Sequence, residues 1–191
     1  MLNIPEYKEY GGETKIALMD NSSLAFMHEL SQRSYPSDGI LSVYDLILIP
    51  KWVMEEIEDS TYRSTYVEQL QAQGYPIRWI DETKYGAFVN DEDVNLYYIV
   101  EAAVSRVSEL MRFLRRKVKT EDLIDLPSAE EWMNRLYDEW PIHGRTLSTG
   151  RTLKKNAGEI SLTILAEIFA WYHDGCLLYT SPSPRDLSTS R

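Results

Sequence analysis

Short unbroken apolar runs alternate, in the first half of the chain, with stretches whose apolar residues return every three or four positions. Ile16-Ala17-Leu18-Met19, Leu46-Ile47-Leu48-Ile49 and Ile77-Arg78-Trp79-Ile80 are the short runs. Such runs suit strands buried on both faces, as in a parallel sheet. Between the first two, Leu24, Met27, His28 and Leu30 fit one helical face, opened by several candidate caps in Asp20-Asn21-Ser22-Ser23, with the helix beginning near Ser22. After Pro50, which is favoured at a first helical position, Val53, Ile57, Tyr66, Val67 and Leu70 predict a helix facing the core. Tyr35–Gly39 and Gly74-Tyr75-Pro76 are the intervening turns. Strand, helix, strand, helix, strand predicts a parallel α/β sheet.

From Asp91 the period is helical throughout. Val94, Tyr97, Val100, Val104, Val107, Met111, Leu114 and Val118 predict one long amphipathic helix. Its basic end, Arg112, Arg115, Arg116, Lys117 and Lys119, complements the helix dipole. A second helix starts at Ser128 in a capping box with Glu131, burying Trp132, Leu136 and Trp140. Residues 141–155 read as a Gly- and Thr-bearing linker carrying Arg145, Arg151, Lys154 and Lys155. Asn156-Ala157-Gly158-Glu159 opens a last helix, packed through Ile160, Ile164, Leu165, Ile168 and Tyr172 and stopped at Asp174-Gly175. The polar start, with Tyr7, Tyr10 and Gly11-Gly12, reads as a loose lead-in.

Composition narrows the function classes. A chain of 191 residues supports one well-buried domain. No apolar run is long enough to cross a bilayer, and the first residues have neither the basic flank nor the apolar core of a signal peptide, so the expected location is cytoplasmic. One cysteine excludes an internal disulfide framework or a cysteine-rich zinc site. His28, His143 and His173 have no ligand spacing. The net charge of −10 opposes long-range attraction to nucleic acid, while leaving room for a local basic patch or for an acidic cluster neutralised by metal.

Three acids stand at comparable places. Asp20 ends a strand, Glu56 lies in the helix after the second strand, and Glu159 lies in the first turn of the last helix. Each has a plain structural reading: Asp20 as a helix cap, Glu56 as a solvated helix residue, Glu159 as the partner of Asn156 in a capping box. Taken in order, the segments around them resemble the PIN domain, a metal-dependent nuclease fold. Asp20-Asn21-Ser22 is similar to its Asp-x-Ser after an apolar strand. Ile49-Pro50-Lys51-Trp52-Val53-Met54-Glu55-Glu56-Ile57 is similar to its Val/Ile-Pro-x-x-Val-x-x-Glu element, and Gly158-Glu159 before Leu165-Ala166 to its late Gly-Glu helix.

The resemblance implies a three-layer α/β sandwich with a mainly parallel central sheet. It implies Asp20, Glu56 and Glu159 as catalytic residues and ligands of Mg²⁺ or Mn²⁺, with Ser22 as an accessory. The expected activity is hydrolysis of RNA phosphodiester bonds. Clustered carboxylates suit hard divalent ions, which prefer oxygen ligands. Arg145, Arg151, Lys154 and Lys155 are the candidate RNA contacts. The alternative is a non-catalytic PIN-like binding module that docks a protein partner through its helical region, as in toxin–antitoxin pairs, or that forms a homo-oligomer; no membrane association is expected.

Two features depart from the family pattern. The interval between Glu56 and Glu159 is long, so residues 91–141 are expected to be a helical elaboration of a single domain spanning residues 1–175. The strand that would bring a fourth acid is replaced by Cys176–Asp186, CLLYTSPSPRD. That run is codon for codon the translation of a transposase adapter end used in sequencing libraries. Residues 176–191 are thus expected to be a non-native tail on a C-terminally truncated domain.

Overall fold

The computed structural model describes residues 14–33, 38–58, 60–89, 93–117, 127–147, 149–172 and 177–179. The expected lead-in and the stop at Asp174-Gly175 lie outside them, as do Val118, Lys119 and Asp186.

Each apolar run forms a strand: β1 Ile16–Leu18, β2 Leu46–Pro50 and β3 Ile77–Ile80. They pair in parallel, β1 with β2 (Ile16 opposite Leu46) and β2 with β3 (Ile47 opposite Ile77). Every residue of β1 and β2 is buried. Successive side chains of a strand point to opposite faces, so both faces of this sheet are covered. The helices α1 (Asn21–Gln32), α2 (Lys51–Ile57) and α3 (Thr61–Ala72) fill the crossovers. Leu24 and Met27 of α1, Trp52, Val53 and Ile57 of α2, and Tyr66, Val67 and Leu70 of α3 join the strand residues in one core. The architecture is mixed α/β around a parallel sheet.

The structure revises several boundaries. The helix expected after Pro50 is two helices. The amide of Glu58 closes α2 on the Met54 carbonyl, and Ser60 then caps α3 through its carbonyl, which accepts from Arg63 and Ser64. Pro50 is the last strand residue and the cap of α2 rather than its first helical residue. Helix α1 begins at Asn21, with Asp20 as its cap.

After β3 the chain turns through a 3-10 segment, Glu82–Val89, and enters the helical region. There the single long helix expected is broken into α4 (Asp93–Val104) and α5 (Ser108–Lys117). Tight turns close the break, with the amide of Ser105 on Ala102 and that of Val107 on Val104. Arg115 consequently reaches Glu101 at 3.4 Å, whereas residues fourteen apart in one straight helix lie about 21 Å apart. The three-to-four spacing persists across the break because Val104 and Leu114 are buried and Val107 and Met111 pack against the core. Helix α6 (Ala129–Asp138) starts as expected, the Ser128 hydroxyl accepting from the Glu131 amide at 3.3 Å.

Residues 141–155 are no linker. They form an antiparallel hairpin, β4 (His143–Thr146) and β5 (Thr152–Lys154), whose turn holds Gly150 at a positive φ of 83°. Helix α7 (Ala157–Tyr172) follows, and Ile160, Leu162, Ile164, Leu165, Ile168 and Phe169 bury it in the core. A last short strand, β6 (Leu177–Tyr179), pairs in parallel with β1, giving the sheet order β3-β2-β1-β6 among the described residues. These three residues belong to the adapter-like run. An exposed strand edge accepts any apolar segment of suitable backbone, and β6 brings no acid to the site.

Candidate functional site

The parallel strands end where α1, α2 and α7 begin, and the candidate acids are gathered around that end. Asp20 follows β1. Its backbone is extended, and its carboxylate accepts from the Ser23 amide at 2.7 Å, so the capping reading of this residue holds. The next residue, Asn21, has a role that the sequence pattern did not suggest. Its side-chain amide points across to α2 and donates to Glu56 Oε2 at 3.5 Å, while its own Oδ1 is enclosed without a hydrogen-bond partner. Ser22 is exposed on the first turn of α1.

Glu56 is not a solvated helix residue. It is half-buried, and its carboxyl titrates at about 7 instead of 4.5. Burial is the main cause, and the negative charge of Glu159 adds to it; the Asn21 hydrogen bond, Arg145 and Arg63 act in the opposite direction. The Nε of Arg63, on α3, is enclosed without a partner. Glycine at position 158 leaves Glu56 its room. A Cβ there would lie 3.1 Å from Glu56 Oε1 and 3.2 Å from Val53 Cγ2. The missing side chain lets the first turn of α7 rest directly on Glu56, which brings Glu159 within electrostatic reach while leaving it exposed.

The four basic residues assigned to RNA divide into two pairs. Arg151 lies 3.2 Å from Glu55 Oε2 and also donates to the Glu55 carbonyl at 3.2 Å. The ammonium of Lys154 donates to the carbonyl of Tyr137 and sits 4.3 Å from the centre of that ring. The Tyr137 hydroxyl donates to Glu55, and its ring stacks on Trp52. Burial and the bond to Glu55 hold the Tyr137 hydroxyl well above its ordinary pKa, and burial lowers that of Lys154. Arg151 and Lys154 therefore fasten the hairpin to α2 and α6. Arg145 and Lys155 are exposed, and Arg145 also acts on Glu56.

Sequence reasoning missed a second acid pair, Asp81-Glu82, at the carboxyl end of β3. The signal was there: two acids directly after an apolar strand, as with Asp20. Asp81 pairs with Lys51 at 3.1 Å and accepts from Thr83, and those hydrogen bonds outweigh the effect of its burial to lower its pKa. Glu82 is only 1% exposed, and burial pushes its carboxyl to about 8. Its Oε1 accepts from the Trp52 amide at 2.9 Å and from the Ser161 hydroxyl at 2.7 Å.

Asp20, Glu56 and Glu159 thus share one end of the sheet, linked through Asn21 and Gly158. They are not drawn into a single coordination group. Among the described residues, no three His, Cys, Asp or Glu side chains are placed to hold a metal ion together. No helix among these residues is long and apolar enough to cross a membrane. Comparison with protein-family models, curated proteins and solved structures finds no match to this chain.

Proposed function

We propose that this chain is a PIN-like α/β sandwich and a metal-dependent endoribonuclease, with Asp20, Glu56 and Glu159 as the acids that take Mg²⁺ or Mn²⁺. The observation that carries the reading is Glu56, whose carboxyl is held at about 7 beside Glu159 at the carboxyl end of a parallel sheet. A carboxylate whose charged form is opposed by burial and by a neighbouring acid is relieved by a cation. The donor chemistry fits a hard divalent ion at the Glu56–Glu159 pair. Asp20, one residue from the Asn21 that touches Glu56, is the third donor in this reading.

A bound divalent ion would supply charge stabilisation for phosphodiester displacement. The chain's own residues do the rest. Asn21 orients Glu56, Gly158 leaves the space in which it sits, and the exposed Arg145 and Lys155 offer the cationic surface for an RNA backbone. Arg151 and Lys154 are assigned to holding the hairpin.

A second reading is favoured by the lack of a three-acid coordination group among the described residues: a PIN-like scaffold that binds a protein partner through its helical region without cutting RNA. Cleavage of a labelled RNA separates the two. The nuclease reading expects cleavage with Mn²⁺ or Mg²⁺ that is lost on chelation and in Glu56→Gln. Equal RNA turnover by wild type and Glu56→Gln would reject it.

A further inference from the structure

Helices α2 and α7 carry Glu56 and Glu159, and they meet where Gly158 rests on Glu56. A buried hydrogen-bonded link between the two helices is supplied by Glu82. It lies just past the end of β3, and its Oε1 receives two donors from two different helices: the Trp52 amide in the first turn of α2, and the Ser161 hydroxyl near the start of α7. Trp52 lies one turn before Glu56, and Ser161 lies two residues after Glu159.

The hydroxyl of Ser161 is aimed rather than free. The Tyr85 hydroxyl sits 2.8 Å from Ser161 Oγ, and Tyr85 and Ser161 are fully buried. With Tyr85 donating to Ser161, the Ser161 proton can go only to Glu82. Helix α2 also needs this acceptor. Its cap residue is Pro50, which has no capping side chain, so a first-turn amide would otherwise be buried without a partner. Glu82 caps α2 from another element and fastens that cap to α7.

The second carboxyl oxygen, Oε2, is buried with no hydrogen-bond partner. Thus one oxygen carries the whole connection.

We propose that Glu82 is a positioning residue for the acid pair, a strut that fixes α2 against α7 and so sets the spacing of Glu56 and Glu159. The inference deepens the metal-site reading and rests on it for its functional meaning.

The test uses the full chain and four variants. Ser161→Ala cuts the arm to α7, Glu82→Leu removes both arms, Glu82→Gln keeps the acceptor oxygen, and Tyr85→Phe removes only the outer hydroxyl. Mn²⁺ affinity is measured by calorimetry. The α2–α7 distance is measured in parallel by electron–electron resonance between nitroxides at Glu58→Cys and Ala170→Cys, in a Cys176→Ser background.

The strut predicts that Ser161→Ala and Glu82→Leu weaken Mn²⁺ binding about tenfold, in the range seen when a partner supporting a metal ligand is lost. Both should broaden the distance distribution. Glu82→Gln should keep affinity within about twofold and the distribution narrow, because its amide oxygen replaces Oε1. Tyr85→Phe should fall between. If Ser161→Ala lowers the melting temperature but leaves affinity and distances at wild-type values, the residue is merely structural and the proposal is wrong. If Glu82→Leu does not fold, Ser161→Ala and Glu82→Gln still decide. If the wild type takes up no Mn²⁺, the metal-site reading fails by itself. The label distances then decide the strut separately.

Discussion

Replacing Glu82 by glutamine removes one titrating group from the core while keeping the oxygen that accepts from Trp52 and Ser161. Burial raises this carboxyl from 4.5 to about 8, and Asp81 adds to the effect against the bonds from Trp52 and Ser161. Between those two values the folded protein holds a proton that the unfolded chain has released. Stability from this group is therefore complete below pH 4.5 and is lost as pH rises through 8, at about 1.4 kcal/mol per pH unit. From about pH 5 to pH 7.5 the wild type should lose roughly 3 kcal/mol by this route. Glutamine does not titrate, so the Glu82→Gln variant lacks that slope. Its new NH₂ occupies the place of the unpartnered Oε2 and costs roughly 1–3 kcal/mol at every pH. Urea unfolding of both proteins across this range separates the constant offset from the slope. Asp81, lowered below its ordinary value, and Tyr85, raised well above 10, titrate outside this range, and Glu56 titrates in both proteins. The difference should move by roughly 3 kcal/mol in favour of the variant as pH rises. A difference that stays constant with pH would refute the reasoning.

Glu56→Gln should act similarly but more weakly. The raised carboxyl contributes stability below pH 4.5 that is lost as pH rises through 7, so the metal-free variant should gain on the wild type by about 1 kcal/mol, after solvent screening, between pH 5 and 8 in thermal melts. In Gly158→Ala, helix propensity favours alanine by about 1 kcal/mol, but the new methyl meets Glu56 and Val53. Calorimetry and melting should show near-unchanged stability with weakened Mn²⁺ binding, and unchanged binding would show that the close approach is dispensable. Arg151→Ala should destabilise by about 0.5–1 kcal/mol through loss of its half-exposed pair with Glu55. In filter binding it should leave RNA retention intact, whereas Arg145→Ala should weaken retention and flatten its salt dependence.

The sheet was readable because its signal is local. Three apolar runs bounded by turn residues predict three buried strands, and all three are present. Boundaries that depend on tertiary contacts were less visible. The break between α4 and α5 leaves the apolar period intact, so Val104 and Met111 read as one stripe although the chain turns between them. The hairpin at residues 143–154 was missed because its strands are short and largely exposed, with no apolar alternation. Its anchors, Arg151 on Glu55 and Lys154 on Tyr137, join residues far apart in sequence. The same holds at the candidate site. Asp20, Glu56 and Glu159 were visible as acids at a strand end, in the helix after the second strand and at a helix start. Asn21, Gly158 and Glu82 matter through what they touch, and no spacing announces a contact between Glu82 and Ser161.

The central claim is that the acids at the carboxyl end of the sheet take a divalent cation. Titration of Mn²⁺ into the full chain at about pH 8, where Glu56 is ionised, tests it most directly. The account predicts saturable heat in the wild type, much weaker at about pH 6 because the Glu56 proton must be displaced. That heat should be lost in Glu56→Gln and reduced in Asp20→Asn and Glu159→Gln. Wild-type heat no greater than that of Glu56→Gln would contradict it.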